Sequence, residues 1–326
     1  MRFPKWHSIG LGFIGLASAL RADGASTAPD QGCIVATDGS GQYSSIQEAI
    51  NASPQSCSAA SPWTIHVKPG TYHEIVYVQR EKHHVRLLGE DPATTVLTFG
   101  LFASMPGIDG KPLGTFHTPT LWVDADDFTV ENITLANSAG RVGQALALRV
   151  DGDRDCFLNC RFKGWQDTIL ANRGRQYFAD CSIEGAVDFI FGGSTAFFER
   201  CAITCLGDGY VTAASTPQNQ RYGLVFDQCS IEGPAGVQSY LGRPWRSFAM
   251  VLFVNSRMSG VVRPAGWHNW NKPEREKTTR FGESGSLGPG ADPNARVPWA
   301  RPVAAADAAS LNADKVLAGD DGWHPE

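Results

Sequence analysis

The sequence predicts an all-β protein built as a parallel β-helix, a solenoid of stacked coils. A short phrase recurs six times between residues 128 and 258: an apolar or aromatic residue, a polar pair, a small residue, a polar residue and an apolar one. Its small or apolar position falls at Ile133, Cys160, Cys181, Cys201, Cys229 and Ser256, at spacings of 27, 21, 20, 28 and 27 residues. Strands this short cannot bury an apolar face alone, whereas stacked units of this length form a continuous core.

Composition supports this fold and excludes one class of partner. Of 326 residues, 42% are hydrophobic and 19% charged, with 35 Gly and 19 Pro, which indicates a globular chain of short strands joined by turns. The alternative, an antiparallel β-sandwich, needs Asn-Gly or Asp-Gly hairpin turns, and few occur between neighbouring repeats. A formal net charge of −5 provides no broad basic surface, so no nucleic-acid partner is expected.

Residues 1–22 are predicted to be a secretory signal peptide, followed by the domain 23–326. Arg2 and Lys5 precede the apolar run 9–20, and small residues follow it, as in export signals. An N-terminal amphipathic or buried helix is the alternative. The run is too short to cross a bilayer and no later segment reaches 18 apolar residues, so no membrane partner is expected and the protein is expected to be secreted.

The remaining elements flank the repeats. A capping-box pattern, Ser45-x-x-Glu48, precedes apolar residues at helical spacing and predicts a short helix that caps one end of the solenoid. The repeat core is predicted over about 34–270. The tail, 271–326, loses the repeat and is predicted to pack on the outside with a short helix around 304–317.

Three carboxylates share one phase of the repeat. Asp167, Asp188 and Asp208 each follow a cysteine of the phrase by seven residues. Because neighbouring coils lie about 4.8 Å apart, Asp167 and Asp188 are predicted to be side by side. Two charges about 5 Å apart at an effective dielectric near 20 repel by roughly 3 kcal/mol, so one proton is expected to stay on the pair. A protonated carboxyl beside an ionised one indicates hydrolytic chemistry.

The neighbours of these aspartates point to a sugar-binding cleft. Trp165 and Gln166 precede Asp167, and aromatic residues follow Asp188. This mixture of aromatic and amide groups suits carbohydrate. The alternative role, capping backbone N–H groups at turns or binding Ca²⁺, is assigned to Asp208, which stands in a turn-like Gly-Asp-Gly.

The sequence resembles the pectin methylesterases. The motifs that resemble the family's blocks, in the family's order, are DGSGQYSSIQEA (38–49), VKPGTYHE (67–74), GQALALR (143–149), GWQDTIL (164–170), GAVDFIFG (185–192), YLGRPW (240–245) and PAGWHNW (264–270). The resemblance implies a right-handed parallel β-helix that hydrolyses the methyl esters of pectin and releases methanol, without metal or organic cofactor. The protein is expected to be a monomer. The chain has no G-x-S-x-G motif, which disfavours a serine nucleophile.

The resemblance also implies roles for single residues. Asp188 would be the nucleophile that forms an acyl-enzyme, and Asp167 the acid and then the base. Gln144 and Gln166 would stabilise the oxyanion with neutral amide donors. Arg243 would hold Asp188 ionised and oriented.

Aromatic residues of the resembling blocks are expected to contact sugar rings. These are Trp245, Trp267 and Phe191; by composition alone they are as compatible with the core. Trp165 and Leu170 stand where the family usually has Tyr, so the substrate contacts there are expected to differ.

Eight cysteines in an exported protein suggest disulfides rather than zinc. The chain has two C-x₃-C spacings, but zinc sites usually pair cysteines with His or with more closely spaced cysteines. Cys181 and Cys201 share a phase on adjacent coils, within disulfide reach, and Cys160 competes for the same column. The family resemblance favours Cys181–Cys201. Cys33–Cys57 is a second expected bridge.

Two other function classes fit a β-helix with clustered aspartates. A pectate lyase or polygalacturonase would cleave the polymer backbone, but a lyase requires Ca²⁺ ligands and a basic residue, an arrangement that the aspartate blocks do not match. A non-catalytic carbohydrate-binding homologue is expected to lack Asp167, Asp188 or Arg243, and all three are present.

Overall fold

The computed structural model describes residues 31–325; the predicted signal peptide, 1–22, lies outside them. Within this range the chain winds as a parallel β-helix whose coils stack into three ladders of parallel strands, so the predicted fold class is confirmed. The second and third ladders join into one sheet through two long strands that contribute to both.

Each strand belongs to one ladder, except two long strands that the second and third ladders share. The first ladder contains Gln31–Val35, Trp63–Val67, Val85–Gly89, Thr129–Glu131, Asp155–Leu158, Arg175–Ala179, Thr195–Glu199, Leu224–Asp227, Met250–Val254 and Arg280–Ser284. The second contains Gly70–His73, Thr95–Phe99, Thr134–Asn137, Arg161–Lys163, Ser230–Glu232 and Arg257–Met258, and the third Val76–Val78, Leu121–Val123, Leu148–Val150, Ile169–Ala171 and Ser239–Gly242. The long strands shared by both are Ser182–Gly192 and Ala202–Ala214.

Helices are short and lie at one end of the solenoid, in its loops or in the C-terminal tail. The α-helices are Ile46–Ala52, Ala305–Ala308 and Ala313–Leu317, and the 3₁₀ helices are Thr115–His117, Pro273–Lys277 and Pro293–Ala295.

The sequence phrase corresponds to one corner of each coil. Immediately before each repeat position a residue adopts a left-handed conformation with φ between 48° and 57°: Asn132, Asn159, Asp180, Arg200, Gln228 and Asn255. This conformation turns the chain from the first ladder into the second. The residue after it points inward, so the repeat positions form one buried column.

Aromatic stacking stabilises the interior behind the first ladder. The rings of Phe157, Phe178, Phe198, Phe226 and Phe253 stack in register, with centroids 4.4–4.7 Å apart and planes within 12°. Buried aromatic pairs stabilise beyond their area by about 0.5–1.5 kcal/mol each. The stack therefore couples successive coils into one core.

The predicted capping helix forms, but a distant residue completes its cap. The Ser45 side chain accepts a hydrogen bond from the Glu48 N–H at 3.4 Å. The Glu74 carboxylate accepts from the Ser45 hydroxyl at 2.7 Å and from the N–H groups of Ile46 and Gln47 at 2.8 and 3.0 Å. A negative charge at a helix N-terminus satisfies unpaired N–H groups and complements the helix dipole.

The C-terminal tail departs from the predicted boundary. The strand Arg280–Ser284 extends the first ladder, so the solenoid continues beyond residue 270. The predicted helix around 304–317 is two short helices, and the second packs on the outer face of the strands Arg175–Ala179 and Thr195–Glu199. The outside packing expected for the tail is confirmed there.

All eight cysteines are free thiols, so neither predicted disulfide is present. Cys181 donates to the carbonyls of Phe157 and Ala179 at 3.3 and 3.2 Å, and Cys201 makes equivalent contacts with two carbonyls at 3.5 Å. Cys57 donates to the Pro54 carbonyl at 3.3 Å, and the Cys33 thiol is buried in the core.

Candidate active site

The paired aspartates lie in a cleft of about 210 Å³ on the third ladder. The cleft is lined by Thr115, Phe116, Gln144, Gln166, Asp167, Asp188, Phe191, Ala213, Arg243, Trp245 and Trp270. Successive parallel bridges join Gln144 to Gln166 and Gln166 to Val187. Three adjacent coils therefore bring the predicted glutamines and aspartates together.

The backbone at both aspartates is unusual. Asp167 has φ 62° and Asp188 φ 51°, and the pairing of strand Ser182–Gly192 shifts register between Gly185 and Val187 and again between Val187 and Ile190. Left-handed conformations are costly for residues other than glycine and concentrate at functional sites. The local distortion turns both carboxylates into the cleft, where they are only 8% and 6% exposed.

Arg243 holds Asp188 through a planar two-point contact. Its Nε donates to Asp188 Oδ1 at 2.8 Å and its Nη2 to Oδ2 at 2.7 Å. The guanidinium carbon lies 3.8 Å from the ring centroids of both Tyr210 and Trp270. Stacking fixes the guanidinium plane, and the charge-assisted fork fixes the carboxylate.

The two carboxyls differ in their electrostatic surroundings. Burial, and then the negative charge of Asp188, raise the pKa of Asp167 to about 8. Burial also raises the pKa of Asp188, but the hydrogen bonds and positive charge of Arg243 act against it. The shared proton therefore resides on Asp167 at neutral pH and the negative charge on Asp188.

Gln144 and Gln166 present amides to the cleft. Among the described residues, neither side-chain amide has a hydrogen-bond partner. Their backbones are fixed, since the Gln144 carbonyl accepts from the Ala103 N–H at 2.8 Å and that of Gln166 from the Ala145 N–H at 3.1 Å. Both amides are thus free to donate to a bound oxygen.

The aromatic contacts are partly those expected. Phe191 and Trp245 line the cleft and pack edge to face, with centroids 5.6 Å apart. The prediction for Trp267 is wrong: it is 1% exposed and packs in the core against Phe281 at 4.6 Å. Trp270, three residues later and with φ 62°, enters the cleft instead.

Other lining residues were not predicted. Thr115 and Phe116 come from a 3₁₀ turn in a loop outside the repeats, and no sequence signal marks them. Trp270 belongs to the same aromatic block as Trp267, so the block indicated the site but not which ring faces it.

Asp208 does not continue the carboxylate ladder. Register pairs Val187 with Tyr210, so Val211 follows at the level of Asp188, and Asp208 lies outside the cleft. It accepts from the Gln238 N–H at 2.8 Å and lies 3.7 Å from Arg263. The structural role expected of Asp208, capping a backbone N–H, is thus confirmed. Equal phase does not bring it to the other two carboxylates because the two long strands are irregularly paired.

The described residues, 31–325, contain neither a metal-binding side-chain cluster nor a helix suited to crossing a membrane. No group of three or more His, Cys, Asp or Glu side chains in this range is arranged to hold a metal ion. In the same range, no helix combines the length and apolar character that membrane crossing requires.

Comparisons with known proteins agree with this geometry. A family model described as Pectinesterase matches residues 32–320. The chain is 43% identical over 277 residues to Pectinesterase 31 of Arabidopsis thaliana, covering 82% of this chain and 86% of that protein. It superposes on a pectin methylesterase from carrot with TM-score 0.79 and 31% identity, covering 86% of this chain and 90% of the other. A pectin methylesterase in complex with hexasaccharide VII matches with TM-score 0.78 and 29% identity, covering 92% and 99%.

Proposed function

The chain belongs to the pectinesterase family and is a carboxylic ester hydrolase, and we propose that it uses Asp188 as nucleophile and Asp167 as acid and base. The observation that carries this assignment is the asymmetry between the two aspartates. Arg243 donates hydrogen bonds to Asp188 and not to Asp167, which is buried beside Asp188 without a cation of its own. An ionised and a protonated carboxyl side by side are what the two roles require.

In the first step an Asp188 carboxylate oxygen attacks the ester carbonyl carbon of a methylated uronate. The carbonyl π electrons move to its oxygen, and the amides of Gln144 and Gln166 donate hydrogen bonds to the resulting oxyanion. When the tetrahedral intermediate collapses, the carbon–methoxy bond breaks and Asp167 transfers its proton to the departing methoxy oxygen. Methanol leaves and an acyl-enzyme anhydride remains.

In the second step Asp167, now a carboxylate, removes a proton from water. The water oxygen attacks the carbonyl carbon of the acyl group, and the bond to Asp188 breaks with its electron pair returning to that carboxylate. The product is a free uronic acid. Asp167 regains its proton and Arg243 again contacts an ionised Asp188, so the site returns to its starting state.

The substrate of this reaction is proposed to be pectin. Trp245, Phe191 and Trp270 supply aromatic surface at the cleft, which suits sugar rings. We also propose that the protein is exported and acts as a monomer. The basic, apolar and small-residue order of 1–22 supports export.

Methanol release from highly methylated pectin tests the proposal. The wild type is expected to release methanol, Asp188→Asn to release none, and Asp167→Asn to retain activity reduced by about 10²–10⁴-fold. Product analysis separates the other classes: a lyase forms unsaturated uronides and a glycosidase new reducing ends. Near-normal methanol release by Asp188→Asn would overturn the assignment.

A further inference from the structure

An arginine outside the catalytic set stacks on Trp165, the residue that immediately precedes the cleft-lining Gln166. The guanidinium carbon of Arg141 lies 3.8 Å from the ring centroid of Trp165. Arg141 sits in an exposed turn between Gly140 and Gly143, whose φ angles of 79° and 102° favour glycine. The turn therefore folds the side chain back onto the ring of the following coil.

This guanidinium has no anionic partner. Among the described residues Arg141 forms no salt bridge and no side-chain hydrogen bond, although many other arginines of the chain pair with carboxylates. Stacking occupies the face of the guanidinium and leaves its edge N–H donors available. An arginine held flat with free edge donors matches the geometry of a carboxylate.

The pair adjoins the proposed oxyanion-binding amides. Trp165 immediately precedes Gln166, and Arg141 lies three residues before Gln144. The Trp165 carbonyl accepts from the Ala186 N–H at 2.7 Å, which fixes the backbone beside the cleft. Trp165 is two residues from Asp167, which at a strand rise of 3.3 Å per residue is at most about 7 Å along the chain. The Arg141–Trp165 pair therefore adjoins a cleft-lining amide along the chain, on a path that a polymer bound in the cleft would follow.

We propose that Arg141, seated on Trp165, binds the free carboxylate of a uronate unit next to the ester being hydrolysed. The inference rests on the proposed function, because that reaction produces such carboxylates. Each hydrolysed unit then becomes a ligand that holds the polymer for the next turnover. Esters beside free acids are therefore preferred.

The test compares Arg141→Ala with wild type on two oligogalacturonides, one fully methylated and one half-methylated. Wild type is expected to have a higher kcat/KM on the half-methylated substrate than on the fully methylated one. Arg141→Ala is expected to lower the substrate ratio, defined as kcat/KM on the half-methylated substrate divided by kcat/KM on the fully methylated one, about tenfold. Arg141→Lys is expected to recover only part of it, because Lys lacks the planar fork. The matched control is Arg221→Ala: Arg221 is also exposed and stacks on Tyr222, but lies outside the cleft.

Calorimetric titration of fully de-esterified oligogalacturonate into wild type and Arg141→Ala tests the binding without turnover. We expect affinity to fall about tenfold in the variant and to weaken with salt in wild type. An unchanged affinity, an unchanged substrate ratio, or an equal ratio change in Arg221→Ala would overturn the inference. A wild type that released no methanol from either substrate would instead contradict the proposed function, and the titration would still decide the role of Arg141.

Discussion

Replacing Asp167 with Asn is expected to stabilise the protein at alkaline pH while slowing hydrolysis. Burial and the charge of Asp188 raise the pKa of Asp167 to about 8 from an ordinary value of 3.8. Because the folded-state pKa exceeds the unfolded one, the stability linked to this group is fully present below about pH 4 and is lost as pH rises through 8. Asn cannot ionise, so the variant avoids this loss.

The magnitude follows from the pKa shift. Between pH 5 and 8 the free energy of unfolding of wild type falls by about 1.4 kcal/mol for each pH unit. Over these three units the loss is roughly 4 kcal/mol. The residue is 8% exposed, so solvent screening reduces this little. At about 2 °C per kcal/mol for a chain of this size, the advantage of Asp167→Asn in Tm should grow by roughly 8 °C from pH 5 to pH 9.

Thermal unfolding from pH 5 to 9 measures the effect, with Asp208→Asn as the matched control because Asp208 is exposed and outside the cleft. Wild-type methanol release should also decline as pH rises through about 8, because the proton donor is lost. A Tm difference between Asp167→Asn and wild type that stayed constant across this range would refute the reasoning. So would an equal pH dependence in Asp208→Asn.

Three further substitutions test separate parts of the structure. Arg243→Lys keeps the charge but loses the fork on Asp188, so kcat for methanol release should fall about tenfold or more while KM changes little; a pure KM effect would contradict this. Trp267→Ala should lower the free energy of unfolding by about 3–5 kcal/mol, whereas Trp245→Ala should mainly weaken oligogalacturonate binding. Denaturant unfolding measures the stability of both variants and calorimetry their binding; a larger stability loss in Trp245→Ala than in Trp267→Ala would contradict this assignment. Glu74→Gln should cost about 1–2 kcal/mol in denaturant unfolding by weakening the helix cap, with kcat at 25 °C unchanged; a changed kcat would mean that the cap also affects the cleft.

Much of the fold and the proximity of the two proposed catalytic aspartates could be predicted from the sequence because both depend on period. A coil brings residues one repeat apart into neighbouring positions, so the buried column containing Cys160 and Cys181 was recognisable without coordinates. The same counting predicted that Asp167 and Asp188 are neighbours. The Arg243 assignment came from the family resemblance, and its fork on Asp188 is present.

Residues whose direction depends on local distortion could not be predicted in this way. Counting placed Asp208 level with Asp188, but the irregular pairing of the two long strands moves it out of the cleft. Trp267 and Trp270 belong to one motif, and a left-handed residue at 270 decides which ring faces the substrate side.

The sequence by itself determined the solenoid, its period and the paired carboxylates, because a repeat encodes which residues become neighbours on successive coils. The tertiary structure decided the contacts between segments that share no period. Glu74 caps a helix 27 to 29 residues before it, and Arg141 crosses from its turn to the ring of Trp165 on the following coil. Such contacts depend on the path of loops in three dimensions, which spacing along the chain does not specify.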